Sequence, residues 1–295
     1  MRIGLHDADK TGFPNLALMK LSAWHKAHGD DVRWWIPMEE YDKVYSSKVF
    51  NFTPEEIMLP EDTVKGGTGY GIYDELPEEV DCMFPDYSIY PHVDYAVGFL
   101  TRGCIRNCPW CVVPKKEGAI RAYSTWQQVK RPDSKKILFL DNNVLACPHG
   151  IEQIRDMVGK NIRIDFNQGL DARLITPEVA KLLSKLKWNR YIRMSCDTNA
   201  MLPIVKKAIL LLKEYGVKPY KIFVYALVKE TSEAEFRVKT LRSMGVSVFA
   251  QPYRDFENRI EPSDEQKMFA RWVNHKAIFN TVLDFKDYKR SVKRG

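Results

Sequence analysis

The chain has 295 residues, of which 45% are apolar and 28% charged, with a formal charge of +7. That is the balance of an ordinary globular protein with one large domain, or a large domain and a small one. No apolar run approaches the length that crosses a bilayer, so no membrane association is expected.

The opening MRIGLHDADK enters a strand-like segment almost at once. It lacks a secretory apolar region and cleavage site, which predicts a cytoplasmic protein. NLALMKLSAWHKAHGD (15–30) follows with apolar residues near helical spacing and Gly29 as a stop. VRWWIP (32–37), YDKVYSSKVF (41–50) and the stretch from EEIMLP to DTVKGGTGYG (55–71) hold further short strands and a Gly-rich turn. Strand and helix on this scale predict a small, Rossmann-like, doubly wound parallel sheet over residues 1–88.

From residue 89 the alternation becomes regular. Strands are predicted at 94–100, 135–141, 161–167, 190–196, 220–228 and 246–251, with helices around 123–131, 150–158, 177–186, 200–215 and 233–244. Thr176-Pro177-Glu178 is a helix start, and Gly216 and Gly245 are C-terminal stops. Eight strand–helix repeats close a β/α barrel, so six predict an α/β fold built as a partial (β/α)6 TIM-like barrel over 89–258. Residues 259–295 read as a helical extension and a basic tail, KDYKRSVKRG. A solvated terminus is the plainer account of that tail, and contact with RNA, DNA or an acidic partner the alternative.

Three of the six cysteines, Cys104, Cys108 and Cys111, fall in GCIRNCPWC, directly after the first strand of the predicted barrel. Chemistry in such barrels sits at the carboxyl ends of the strands. Three thiolates on one loop suit a [4Fe–4S] cluster with one iron left open to a ligand. Two other readings stand beside it. Zinc would need a fourth ligand, for which His149 or another cysteine is a candidate. Cys108-Pro-Trp-Cys111 alone is a dithiol redox motif, which leaves Cys104 without a role. Cys82, Cys147 and Cys196 read as small buried apolar residues.

C-x3-C-x2-C with an aromatic residue, Trp110, before the last cysteine resembles the signature of the radical S-adenosylmethionine (SAM) superfamily. The resemblance covers about residues 94–255. It implies that Cys104, Cys108 and Cys111 hold a [4Fe–4S] cluster and that the open iron takes SAM. One electron, from a reductant such as flavodoxin or ferredoxin, would then give a 5′-deoxyadenosyl radical that abstracts hydrogen from a substrate. Members of the superfamily commonly contact SAM from a Gly-Gly-Glu after the second strand. This chain has Asp141-Asn142-Asn143 there instead. Gln168, Asp171 and Arg173 after the third strand, Ser195 and Asp197 at the fourth and Tyr225 on the fifth are further candidates for the cofactor. A helix-start turn with a structural ion pair is the plain alternative for the third-strand set.

The front domain is similar to the cobalamin-binding branch, and KGGTGY (65–70) looks like its Gly-Gly turn. Its D-x-H-x-x-G motif is missing, since His6 precedes Asp7 instead of following it. A degenerate domain that shapes the substrate site is therefore favoured over bound cobalamin. The substrate itself is open between RNA, a nucleotide and a peptide. The rival function is a nucleic-acid-binding or sensor protein whose metal cluster is structural and cleaves no SAM.

Overall fold

The computed structural model describes residues 1–255, 258 and 260–288. Residues 289–295 of the basic tail, and with them most of the reading of that tail as a contact for nucleic acid, lie outside the described residues. Two mixed α/β units follow one another along the chain.

The front unit is a four-stranded parallel sheet in the order β2-β1-β3-β4, with β1 Arg2–Asp7, β2 Asp31–Trp34, β3 Lys43–Ser47 and β4 Val64–Gly66. Central β1 is buried along most of its length, as a strand covered on both faces must be. Helix α1, Leu16–Ala27, starts at Asn15, whose side chain accepts the Leu18 N–H at 3.3 Å. It stops before Gly29, which lies at φ +81°. Its Leu18 and Leu21 pack with Ile3, Leu5 and Val80 in the front core. The one-turn α2, Glu78–Asp81, supplies Val80.

The expectation of a doubly wound unit needs correction. Only the β1–β2 link carries a long helix. The β2–β3 link, residues 35–42, is too short to hold a crossover helix, so the chain passes in irregular conformation.

The second unit contains β5 Ala96–Gly98, β6 Thr101–Arg102, α3 Val113–Lys116, β7 Arg121–Ala122, α4 Trp126–Val129, β8 Lys136–Phe139, α5 Pro148–Met157, β9 Arg163–Phe166, α6 Pro177–Lys185, β10 Ile192–Ser195, α7 Leu202–Glu214, β11 Ile222–Val228, α8 Thr231–Ser243, β12 Ser247–Pro252, α9 Asp264–Asn274 and α10 Lys276–Thr281. Two parallel sheets run β5-β8-β9 and β10-β11-β12. They are stitched together by parallel bridges at Ile164–Trp188 and Leu170–Met194, where the Leu170 N–H donates to the Arg193 carbonyl at 2.8 Å.

All six predicted strands are present. Alternation sorts their side chains. Ile137, Phe139, Ile164, Phe166, Ile192, Met194, Val224 and Ala226 join the large core that the helices cover. Leu138, Asp165, Arg193, Ser195, Tyr225 and Phe249 take the other parity.

Two differences from expectation have plain causes. The helix predicted at 123–131 is the single turn α4, capped reciprocally by Thr125 and Gln128 and stopped by Pro132 just beyond its C-cap Lys130. The segment after 258 is no appendage, because α9 buries Phe269, Trp272 and Val273 in the second unit's core.

Residues 87–95 join the units. The Tyr87 hydroxyl accepts the Val97 N–H at 2.9 Å, and the Tyr90 hydroxyl donates to Asp7 at 2.8 Å. Lys20 on α1 reaches Asp81 at 2.7 Å and Tyr123 at 2.8 Å, a polar tie from one unit to the other. Among the described residues no helix is long and apolar enough to cross a membrane.

Candidate site at the cysteine loop

The cysteine loop is clamped at its base. β6 and β7 pair antiparallel on either side of it, and the Cys104 N–H donates to the Gly118 carbonyl at 3.2 Å. Gly103 sits between them at φ +82°, and a Cβ there would stand 2.2 Å from the Ala119 carbonyl oxygen. Only glycine fits both the angle and the space.

Buried Glu117 accepts the Gly103 N–H and the Asn142 amide, each at 2.9 Å. Its carboxylate also lies 3.1 Å from Arg102 Nε, a pair held by charge and not by an aligned hydrogen bond. Asp141 is 1% exposed and accepts from Leu100 N–H at 3.0 Å, Thr101 N–H at 2.6 Å and the Thr101 hydroxyl at 2.7 Å. Burial pushes its carboxyl up to about 6 against those hydrogen bonds.

Above this base the thiols meet polar residues from the carboxyl edge of the strands. Cys104 Sγ accepts from the Arg106 N–H at 3.3 Å and from Asn143 Nδ2 at 3.4 Å. Asp171 accepts from Arg173 Nε at 2.6 Å and Arg106 Nε at 2.9 Å. Burial works against ionisation of Asp171, yet these two guanidinium groups hold its carboxyl below the usual range. The Cys111 N–H donates to the Cys108 carbonyl at 3.0 Å. Burial pushes both of these thiols up, with Cys104 and Asp197 adding to the effect and the Arg173 charge opposing it at Cys108. Burial likewise raises Asp197, which accepts from the Ser195 hydroxyl at 3.0 Å. At the loop tip the Lys229 ammonium lies 4.6 Å from the Trp110 ring centre and 4.4 Å from that of Tyr253.

The thiols are electrostatic neighbours, but among the described residues no three His, Cys, Asp or Glu side chains stand at metal-ligating spacing. By chemistry the set still fits an iron–sulfur cluster. It offers three soft sulfur donors on one loop, and the raised Cys108 and Cys111 thiols would give up their protons to a metal that compensates the charge. Asn143 Oδ1 is buried beside them with no partner, an acceptor waiting for a donor. His149, the candidate fourth ligand for zinc, has its Nε2 at 2.8 Å from the Ser124 carbonyl.

Of the residues singled out in the sequence, Cys104, Cys108, Cys111, Trp110, Asn143, Asp171, Arg173, Ser195 and Asp197 gather at this edge. Asp141 is corrected to a strut under the loop, because its carboxylate is taken up by Leu100 and Thr101 at the start of β6. Asn142 turns the same way, to Glu117. Gln168 is exposed on the turn after β9. Tyr225 is placed mid-sheet, its hydroxyl 3.3 Å from Arg193, which grips Asp165 at 2.8 and 3.0 Å.

Glu117, Arg106 and Lys229 were not anticipated. Arg106 lies inside the motif and was open to inspection, whereas Glu117 and Lys229 carry no local signal. Cys82 is also corrected. It is exposed at the end of α2, while Cys147 and Cys196 are buried as expected. In KGGTGY, a Cβ on Gly67 would stand 2.4 Å from the Lys48 carbonyl oxygen and one on Gly69 2.7 Å from that of Phe50. Close chain packing accounts for these glycines without a nucleotide tail. No family model matches the chain, and no curated protein matches it either.

Proposed function

We propose that the chain is a radical SAM enzyme whose second unit is a partial (β/α)6 barrel, with Cys104, Cys108 and Cys111 holding a [4Fe–4S] cluster at its carboxyl edge. The observation that carries this reading is the meeting of three thiols, on a loop clamped at its base, with Asn143, Asp171, Arg173 and Asp197. The bound cluster would supply one electron for cleavage of SAM to methionine and a 5′-deoxyadenosyl radical that takes hydrogen from a substrate.

The chain's own part is to bind and orient. Asn143 Oδ1 is the free acceptor for an ammonium group such as that of SAM's methionyl end. Arg173 and Arg106 present guanidinium groups for a carboxylate, at the cost of loosening their hold on Asp171. Ser195 and Asp197 offer a hydroxyl and a carboxylate to ribose hydroxyls. Trp110, with Lys229 behind it, covers the loop tip and limits water. A cytoplasmic location and a flavodoxin or ferredoxin reductant accompany this proposal, and the substrate stays open between RNA, nucleotide and peptide. Nothing in the packing of KGGTGY calls for cobalamin.

The test is anaerobic reconstitution with iron and sulfide, followed by dithionite and SAM. 5′-Deoxyadenosine should appear with the intact chain and vanish with Cys108→Ala. Cleavage that survives the substitution, or an intact chain that takes up zinc and no cluster, defeats the proposal.

A further inference from the structure

The front sheet has a concavity of its own. A cavity of about 450 Å3 opens at the carboxyl ends of β1 and β2, lined among others by His6, Asp7, Lys10, Trp34, Trp35 and Tyr90. Pockets that take small molecules span roughly 300–1,000 Å3. The position is also the one where open parallel sheets place ligands. From β1 the chain moves to β2 on one side and then crosses to β3 on the other, so the cavity lies beside the reversal of strand order.

Its walls are aromatic and fixed. Trp34 meets Tyr90 edge to face at 5.3 Å, and Trp35 meets His6 in the same way at 5.5 Å. Trp34 nevertheless leaves 37% of its surface open.

Its polar groups are held just as firmly. His6 is buried, and its Nδ1 lies 2.8 Å from Ser46 Oγ, which is 2.7 Å from the Tyr70 hydroxyl. That relay fixes the ring and leaves Nε2 as its remaining hydrogen-bonding atom. Burial, helped by the nearby Lys10 charge, lowers His6 from the ordinary imidazole range and keeps it neutral. Tyr90 occupies Asp7. Lys10 adopts φ +45°, a left-handed conformation that costs a residue with a side chain about 1–3 kcal/mol and recurs at ligand clamps. Lys10 shares the lining with Asp7 and Glu56, so the cavity offers no excess of cations to a polyphosphate.

We propose that this cavity binds a neutral, planar heteroaromatic molecule of nucleoside size, its ring against Trp34 and Trp35 and one ring heteroatom on His6 Nε2. The proposal stands on the front sheet alone and does not depend on the cysteine loop.

The test is calorimetric titration of the full chain with adenosine and guanosine as neutral probes, and with AMP, ATP and hydroxocobalamin as contrasts. At least one nucleoside should bind saturably and more tightly than its charged forms. Trp34→Ala, at a half-open rim position, should weaken it about tenfold, the loss of one stacking partner. His6→Gln should weaken it as well. A variant with Cys104, Cys108 and Cys111 all changed to Ala should bind as before, which separates this cavity from the cysteine site. The proposal falls if neither nucleoside binds, if Trp34→Ala binds undiminished, if the triple variant loses binding, or if ATP or hydroxocobalamin is the tighter ligand.

Discussion

In the front sheet the concavity is walled by rings packed on one another, Trp34 on Tyr90 and Trp35 on His6. At the cysteine loop the walls are charges, with Asp171 set between Arg106 and Arg173. Dispersion and burial hold the first shape with no ligand present. The second is firm only at its base, where Asp141 and Glu117 gather the loop's backbone donors. Its thiols repel one another's charged forms, so that arrangement becomes favourable when a metal compensates the charge. A site made by packing is ready before binding, and a site made by like donors is completed by what it binds.

The contrast can be broken at the loop base, with the largest effect expected first. Glu117→Leu strands the Arg102 guanidinium, 15% exposed at its side chain, without its carboxylate. Loss of one partner from such a pair costs about 3–5 kcal/mol, readable as a lower urea midpoint. If nucleoside binding at the front cavity falls with it, the two regions are not independent and the contrast is wrong.

Gly103→Ala comes next. The left-handed angle alone costs about 1–3 kcal/mol, and the meeting with the Ala119 carbonyl adds to it. Iron bound per chain after reconstitution should drop while the front cavity is untouched. Unchanged iron uptake would show that the clamp does not set the loop.

Two carboxylates sharpen the comparison through pH, with opposite signs. Burial disfavours ionised Asp86, yet hydrogen bonds from Lys26, Ser22 and Ser88 prevail and lower it to about 2. Its contribution is full above its ordinary value near 4 and is lost as pH falls towards 2. Asp141 is raised to about 6. The folded state holds its proton longer than the unfolded chain does, so stability declines as pH rises from about 4 through 6. Denaturant unfolding across that range should flatten its acid limb in Asp86→Asn and its pH 4–6 slope in Asp141→Asn. Slopes that match the parent chain would discard both assignments.

The smallest effect is expected from Lys229→Met. Removing an exposed cation from two ring faces costs about 0.5–1 kcal/mol. Trp110 should become more accessible to a fluorescence quencher, and an unchanged accessibility would refute its contact with Lys229.

Much of this architecture was legible in residue order. IFVYALV (222–228) announces a buried strand by its β-branched and aromatic run, and Gly29, Thr176, Gly216 and Gly245 mark helix ends by capping chemistry. The β6–β7 pair was not legible, because two-residue strands carry no period. Asp141 misled for a reason of direction: it follows β8, where ligand-binding side chains gather, but its carboxylate turns back to the neighbouring strand's donors. The aromatic cavity was hidden because Trp34 and Trp35 read only as strand residues. It takes the pairing of β1 with β2, and Tyr90 arriving from the linker, to make a wall of them.

β5 and β12 are the outermost strands of the two three-stranded sheets, and no backbone ladder joins them. The loop between β6 and α3 carries Trp110, and Tyr253 directly follows β12. Lys229 rests between those rings and bridges the two edges. The cysteine loop and the end of β12 are thus tied through side chains, by a contact worth about 0.5–1 kcal/mol, so these two edges can part without breaking a strand pair.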